Sequence, residues 1–337
     1  MVRVLIAGLI AMVIAIVIGP KFIEFLRRNE IGQPIREELR AGHAVKQGTP
    51  VMGGLLILLC ALVPFLVLSS YTLPALTVLF VTVGCGAIGF LDDFIKVRHR
   101  RSLGLSGRYK LALLAVITAV VGFAVHAQDR IGTSIYIPIA DVDLPLSYAF
   151  YPFLFLVIAG AANGVNLTDG LDGLAAGTTI IALLTFLSIN TIAYIRSGPV
   201  TERAEFQLDL SILAAALIGG TIGFLWYNCF PAEVFMGDTG SFALGGALAG
   251  FAIVTGTEAL LLLIGGIFVV NALSVMIQVL SFKYTGKRVF LIAPLQHHFE
   301  MKAWSETKIM VRFWIVAAIL CACGFVLYYR YYLQFRQ

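Results

Sequence analysis

Charge is what this sequence has least of. Asp, Glu, Lys and Arg make up 13% of its 337 residues, about half the share of an ordinary soluble domain, which is about 25%. Length does not explain the deficit, because a larger soluble core still needs a solvated shell. With 59% hydrophobic residues and a mean hydropathy of +0.92, the chain reads as a polytopic membrane protein. The net charge of +5 is too small and too dispersed to point to nucleic acid. Cysteine is also sparse. Cys60, Cys85, Cys229, Cys321 and Cys323 lie in or beside apolar runs, without metal-ligand spacing apart from one Cys-x-Cys, and read as small buried hydrophobes. A cleavable leader is not expected either: the first apolar run lacks a small-x-small end and reads as a retained span.

What the chain does have is long apolar runs. Stretches able to cross a bilayer fall near 2–19, 51–70, 72–91, 109–127, 148–165, 174–194, 211–230, 241–256, 258–281 and 311–329. Backbone groups in lipid must pair internally, so the expected fold is an all-α bundle of ten transmembrane helices forming a single integral-membrane domain over 1–337. Ten crossings put both termini on one side. Of the 24 Lys and Arg, 18 fall after spans 1, 3 and 9. The positive-inside rule then places those loops in the cytoplasm and both termini outside.

Four polar clusters share that cytoplasmic side. "GFLDDFIK" (89–96) ends span 3 with Asp92, Asp93 and Lys96. Carboxylates beside hydrocarbon are costly, and a divalent cation or a phosphate-bound metal would relieve their repulsion. In "NGVNLTDGLDGLAAG" (163–177), Asn163, Asn166, Asp169 and Asp172 recur every third residue, which would stack them along one side of a helix. Glycines at 164, 170 and 173 weaken that helix and allow close backbone approach to a ligand. Amide and carboxylate oxygens suit magnesium, and the amides also suit a ribose or a base edge. A capping turn would explain one of these carboxylates and leave the others. In "FMGDTGS" (235–241), Asp238 precedes a membrane helix, where an N-cap or a phosphate cradle are both possible uses. "APLQHHFEMKAWSE" (293–306) carries His297 and His298. No Cys or further His joins them, so zinc is rejected, and with Lys302, Lys308 and Arg312 nearby they read as donors to phosphate. His43, His99 and His126 carry no such context and read as structural. Together these groups suit phosphoryl transfer to a lipid, where catalysis is mostly positioning and charge neutralisation.

With those residues in place, the chain resembles the polyprenyl-phosphate N-acetylhexosamine-1-phosphate transferase superfamily, and within it the phospho-N-acetylmuramoyl-pentapeptide-transferase branch. The likeness runs nearly end to end, through "HAVKQGTPVMGG" (43–54), "GLSGRYK" (104–110), "WYNCFPAEVFMGDTGS" (226–241), "SVMIQVLSFKYTGKRVFLIAPLQHHFE" (274–300) and "WSETKIMVRFW" (304–314). The acidic motifs mark the superfamily; the histidine and "WSE" motifs mark the branch. The resemblance implies transfer of phospho-MurNAc-pentapeptide from UDP-MurNAc-pentapeptide to undecaprenyl phosphate, giving lipid I and UMP, with Mg2+ as cofactor and a homodimer in the inner membrane. It implies that Asp238 with Asn166 holds magnesium. Asp92 would orient or deprotonate the lipid phosphate, with Asp93 beside it, and Asp169 matches a carboxylate essential to the site. Gly170, Leu171, Asp172, Phe235 and Gln278 match uridine-pocket positions. Lys46, Lys96, Lys110, Asn228, His297 and His298 match polar positions toward diphosphate and sugar. Two positions depart from the family pattern: Gln296 stands where a third histidine is common, and Val51 where threonine is common. A sister enzyme moving GlcNAc-1-phosphate should lack the histidine motif. A nucleotide-sugar transporter should place its carboxylates near the bilayer midplane, not at helix ends.

Overall fold

The structure, a computed structural model, describes residues 1–29, 31–32, 48–101, 103–126, 132–199 and 203–332; Lys46 and His43 lie outside them. Helices dominate: α1 (Val2–Arg28), α2 (Gly54–Leu68), α3 (Leu73–Arg98), α4 (Gly107–His126), α5 (Phe150–Thr168), α6 (Leu174–Arg196), α7 (Glu205–Asn228), α8 (Gly237–Thr255), α9 (Glu258–Ile264), α10 (Gly266–Thr285), α11 (Leu295–Met301) and α12 (Glu306–Leu327). Among the described residues nine helices are long and apolar enough to cross a membrane: α1, α3 to α8, α10 and α12.

Three features depart from the expected ten uninterrupted spans. Helix α2 has 15 residues, shorter than the roughly 20 that cross a bilayer without help. It ends where the chain turns into α3, and that turn is held from a distance. Asp209, buried within α7, accepts the backbone N–H groups of Ser70 at 2.8 Å and Thr72 at 2.9 Å. The expected ninth span is split at Gly265 and Gly266 into α9 and α10. Two consecutive glycines forfeit the side-chain packing and backbone restriction that keep a helix running. Finally, the chain is not wholly helical. β1 (Ser134–Ile137) and β2 (Val142–Pro145) form an antiparallel hairpin between α4 and α5, with Ser134 opposite Pro145 and Ile137 opposite Val142. Its signal is the alternation of Ile135, Ile137, Val142 and Leu144 with other residues, a period of two that a search for long apolar runs passes over.

Helices α7 and α8 form the centre. Both are buried along nearly their whole length and rich in glycine and alanine, which lets backbones approach closely in lipid. α3 and α5 lie along α8, while α1, α2 and α6 lie along α7. α12 packs on α6, and α10 on α5. The outer helices keep large apolar side chains such as Leu5, Val17, Val279, Phe282, Ile319 and Val326 exposed, as a lipid-facing surface requires. One contact decides where the site forms. A Cβ at Gly89 of α3 would stand 2.1 Å from the carbonyl oxygen of Asp238, so only glycine lets the end of α3 reach the start of α8. The hairpin touches α9, which follows the far end of α8. At that opposite end an apolar cavity of about 810 Å³ opens among α5, α9, α10 and the hairpin.

Candidate active site

Four chain segments converge at one end of the bundle. They are the last turns of α3, the first turn of α4, the C-terminus of α5 and the N-terminus of α8. Asp92, Asp93 and Asp238 present carboxylate oxygens that all lie within 4.8 Å of one another. Two ammonium groups lie among them. Lys96 Nζ is 2.6 Å from Asp92 and 3.2 Å from Asp238. Lys110 Nζ is 3.0 Å from Asp92 and 2.7 Å from Asp238. Each lysine therefore bridges the same two carboxylates from a different helix. Asn166, near the end of α5, donates through Nδ2 to Asp238 Oδ1 and to Ser241 Oγ, both at 2.9 Å. Sequence reading thus brought five of its residues to one point: Asp92, Asp93, Lys96, Lys110 and Asp238, with Asn166 against them.

The loop before α4 closes over Asp92. The N–H of Leu105 donates to Asp92 Oδ1 at 2.7 Å, and a Cβ on Gly104 would collide with the Asp92 carboxyl group. Asp92 Oδ2 is buried, and its partner is the Lys96 ammonium at 2.6 Å. Asp169 sits just past α5 as its C-cap residue. Burial, then the negative charges of Asp238, Asp93 and Asp172, push its carboxyl up to about 8, against a backbone hydrogen bond from Gly237. Asp92 and Asp238 thus share two ammonium ions, and the Asp93 carboxylate within 4.8 Å of them adds a negative charge without an ion-pair partner of its own among the described residues, which favours a further cation. The donors are hard oxygens at close spacing, a set that could hold a metal ion.

The histidine segment reaches the same region through α11. Gln296 is fully buried and donates to the carbonyl of Leu167 at 2.8 Å. A Cβ on Gly170 would meet His297 Nε2 at 2.7 Å, so glycine there lets the two loops touch. His297 Nδ1 pairs with Glu300 at 2.8 Å, which directs Nε2 toward the Asn/Asp segment. His298 is placed differently: its Nδ1 accepts the N–H of Leu291 at 3.1 Å, and its rings packed nearby are Phe290 and Phe299. Slight burial and then the positive charge of Lys302 hold its imidazole below the ordinary value.

Several expected ligand-binding residues are occupied with backbone. Gln278 donates to the carbonyl of Phe290 and accepts from Val289 and Phe290, pinning the loop after α10. Asn228 accepts from Gly173 and donates to Val234, joining the starts of α6 and the α7–α8 loop. Asp172 accepts from Ala232. Asn163 donates within its own helix to Ala159. Leu171 is buried in an apolar cluster with Leu174, Ile309 and Phe313. Phe235 has a half-buried ring, and its backbone pairs with Pro50 and Gly53. These residues shape the walls beside the carboxylates. Sequence reading missed the roles of Leu105, Ser241, Glu300 and Gln296. Ser241 and Glu300 were within reach, each three residues from a chosen neighbour and so on the same helical face.

The same region carries the likeness to known proteins. The family described as glycosyl transferase family 4 matches residues 75–256, which span α3 through α8. A phospho-N-acetylmuramoyl-pentapeptide-transferase of Desulfitobacterium hafniense is 45% identical over 328 residues, covering 97% of this chain and 98% of the relative. One from Bacillus subtilis is 44% identical over 320 residues, covering 94% and 95%. One from Frankia alni is 43% identical over 351 aligned positions, covering 98% of each. On that near-complete coverage, with the acidic cluster lying inside the matched segment, the chain belongs to glycosyl transferase family 4 and, within it, to the phospho-N-acetylmuramoyl-pentapeptide-transferases.

Proposed function

We propose that the protein transfers phospho-MurNAc-pentapeptide from UDP-MurNAc-pentapeptide to undecaprenyl phosphate, producing lipid I and UMP at the cytoplasmic face of the bacterial inner membrane, with Mg2+ as cofactor. The observation that carries this reading is the meeting of Asp92, Asp238, Lys96, Lys110 and Asn166 at one end of a membrane bundle, within the segment shared with the family. Ten crossings, with α2 and the α9–α10 pair each counted as one, leave the termini outside and put this end among the Lys- and Arg-rich loops.

In this reaction an oxygen of the lipid phosphate attacks the β-phosphorus of the donor. The new P–O bond joins lipid to sugar phosphate as the bond to the oxygen bridging to UMP breaks, and UMP leaves with that electron pair. A bound Mg2+ would neutralise diphosphate charge and be held by Asp238, Asp92 and Asn166. Lys96 and Lys110 supply positive charge from two helices to the same point, where negative charge accumulates in the transition state. Asp92 orients the incoming lipid phosphate. A general base is not required in principle, because a phosphate monoester has its second pKa near about 6 and is already ionised at neutral pH. His297, steadied by Glu300, offers Nε2 beside Gly170 toward the donor. Gly170, Leu171, Asp172, Asn228, Phe235 and Gln278 form the scaffold of the nucleotide side, and Asp169 lies between it and the carboxylates. The apolar cavity among α5, α9 and α10 offers room for a long lipid chain.

The test is UMP release by the purified protein in detergent, with undecaprenyl phosphate and either UDP-MurNAc-pentapeptide or UDP-GlcNAc as donor. Turnover with the first alone is expected. Preference for UDP-GlcNAc would move the protein to the sister activity.

A further inference from the structure

The two adjacent aspartates do different work. Neighbouring side chains on a helix diverge by about 100°, and here the divergence sends them to different partners. Asp92 meets the α4 loop and both lysines. Asp93, equally buried, meets the first turn of α8. Its Oδ1 accepts the backbone N–H of Asp238 at 3.1 Å. Its Oδ2 accepts the N–H of Thr239 at 2.9 Å and the hydroxyl of Thr239 at 2.7 Å. Among the described residues no ammonium or guanidinium makes an ion pair with Asp93.

Helix N-termini leave backbone N–H groups without partners, and the residue just before the helix normally supplies an oxygen for them. In α8 that residue is Met236, which has none to offer, and it makes no side-chain cap. The missing cap comes from another helix, 145 positions away in sequence. The backbone is shaped to receive it. Gly237 has φ +74°, and a Cβ there would lie 2.6 Å from Asp93 Oδ2. One of the three bonds comes from the residue carrying the Asp238 carboxylate and the other two from its neighbour Thr239, so they fix the position and direction from which that carboxylate emerges.

We infer that Asp93 is a positioning residue: a cap supplied in trans that holds the start of α8 so that Asp238 faces Asp92, Lys96 and Lys110. This rests on the proposed transferase reading for its consequence in turnover, but the clamp itself can be tested without turnover. Two variants separate positioning from direct ligation. Asp93→Ala removes every acceptor. Asp93→Asn keeps one carbonyl oxygen able to accept from the backbone but removes the negative charge by which a carboxylate binds a cation tightly or takes a proton.

The measurement is amide hydrogen exchange over residues 236–242 of the full-length protein in detergent or nanodiscs, paired with Mn2+ binding by calorimetry. In Asp93→Ala, exchange at Asp238 and Thr239 should quicken by about tenfold or more, as when a hydrogen bond to a charged group is lost. Mn2+ affinity should fall with it, while α6 and α7 keep their protection. In Asp93→Asn, protection and Mn2+ affinity should both stay within about threefold of the parent. Unchanged exchange at Asp238 and Thr239 in Asp93→Ala would overturn the clamp. So would Asp93→Asn losing Mn2+ binding as fully as Asp93→Ala with the amides still protected, because that pattern belongs to a direct ligand. If Asp93→Ala does not fold, the Asp93→Asn pair of readings decides alone. Failure of the transferase assay with an intact clamp would count against the proposed reaction and leave the positioning role standing.

Discussion

Replacing Lys110 by Gln tests how the charges in the site are balanced. Lys110 touches Asp238 at 2.7 Å and Asp92 at 3.0 Å, and it is mostly buried. Removing one partner of a buried ion pair ordinarily costs about 3–5 kcal/mol, because a charge is left uncompensated. Lys96 still contacts both carboxylates here, so the expected loss is nearer to about 2–3 kcal/mol. For a chain of this size that corresponds to a fall of roughly 3–4 °C in melting temperature. A divalent cation can replace the missing charge. In excess Mg2+ the gap to the parent narrows by the difference in binding free energy, about 1.4 kcal/mol for each tenfold gain in affinity, so part of the fall should disappear. Apparent Mg2+ affinity in the absence of donor should rise in the variant, since one competing cation is gone. Thermal unfolding in detergent, with and without Mg2+ across a concentration series, reads both effects. An equal fall under the two conditions, or weaker Mg2+ binding in the variant, would refute the idea that the ammonium and the metal answer the same carboxylates.

Other consequences can be checked separately. Asp169, held up to about 8 by burial and by its acidic neighbours, is mostly protonated at pH 7 and ionised above pH 9. A divalent cation lowers that value, so its binding at pH 7 should release up to one proton and at pH 9.5 almost none; calorimetry in buffers of different ionisation enthalpy measures it, and equal release at both pH values would exclude Asp169 as the source. Gly170→Ala forces a methyl group against His297 and Gln296, which should displace α11 and lower turnover more than about tenfold with melting temperature little changed; normal turnover would show that α11 can shift freely. Asp209→Ala strips the acceptor from the amides of Ser70 and Thr72, costing about 1–3 kcal/mol in thermal unfolding with no change in Mg2+ affinity. A loss of Mg2+ affinity there would contradict the separation of the two ends.

Much of the architecture is legible in hydropathy alone, because lipid leaves few choices for long apolar runs. The break at Gly265 and Gly266 could have been anticipated from helix propensity; the hairpin at 134–145 required attention to a period of two. In the site, the gathering of Asp92, Asp238, Lys96, Lys110 and Asn166 follows from polar residues placed at span ends, where few other reasons for them exist. What individual side chains do there was less accessible. Asp93 looks like the twin of Asp92 in sequence, yet its partners lie on α8, and only the folded chain shows them. Likewise, Gln278 and Asn228 read as ligand-facing amides, whereas their hydrogen bonds hold loops. Long-range partners of this kind depend on packing between distant helices, and no local pattern encodes them.

The most direct measurement is to soak or co-crystallise the intact protein with Mn2+ and locate the ion by anomalous scattering. A single strong peak bounded by Asp238, Asp92 and Asn166, lost in Asp238→Asn together with Mg2+-dependent UMP release, is the expected result. A peak on other residues, or full turnover by Asp238→Asn, would contradict the assignment of this carboxylate cluster as the catalytic centre.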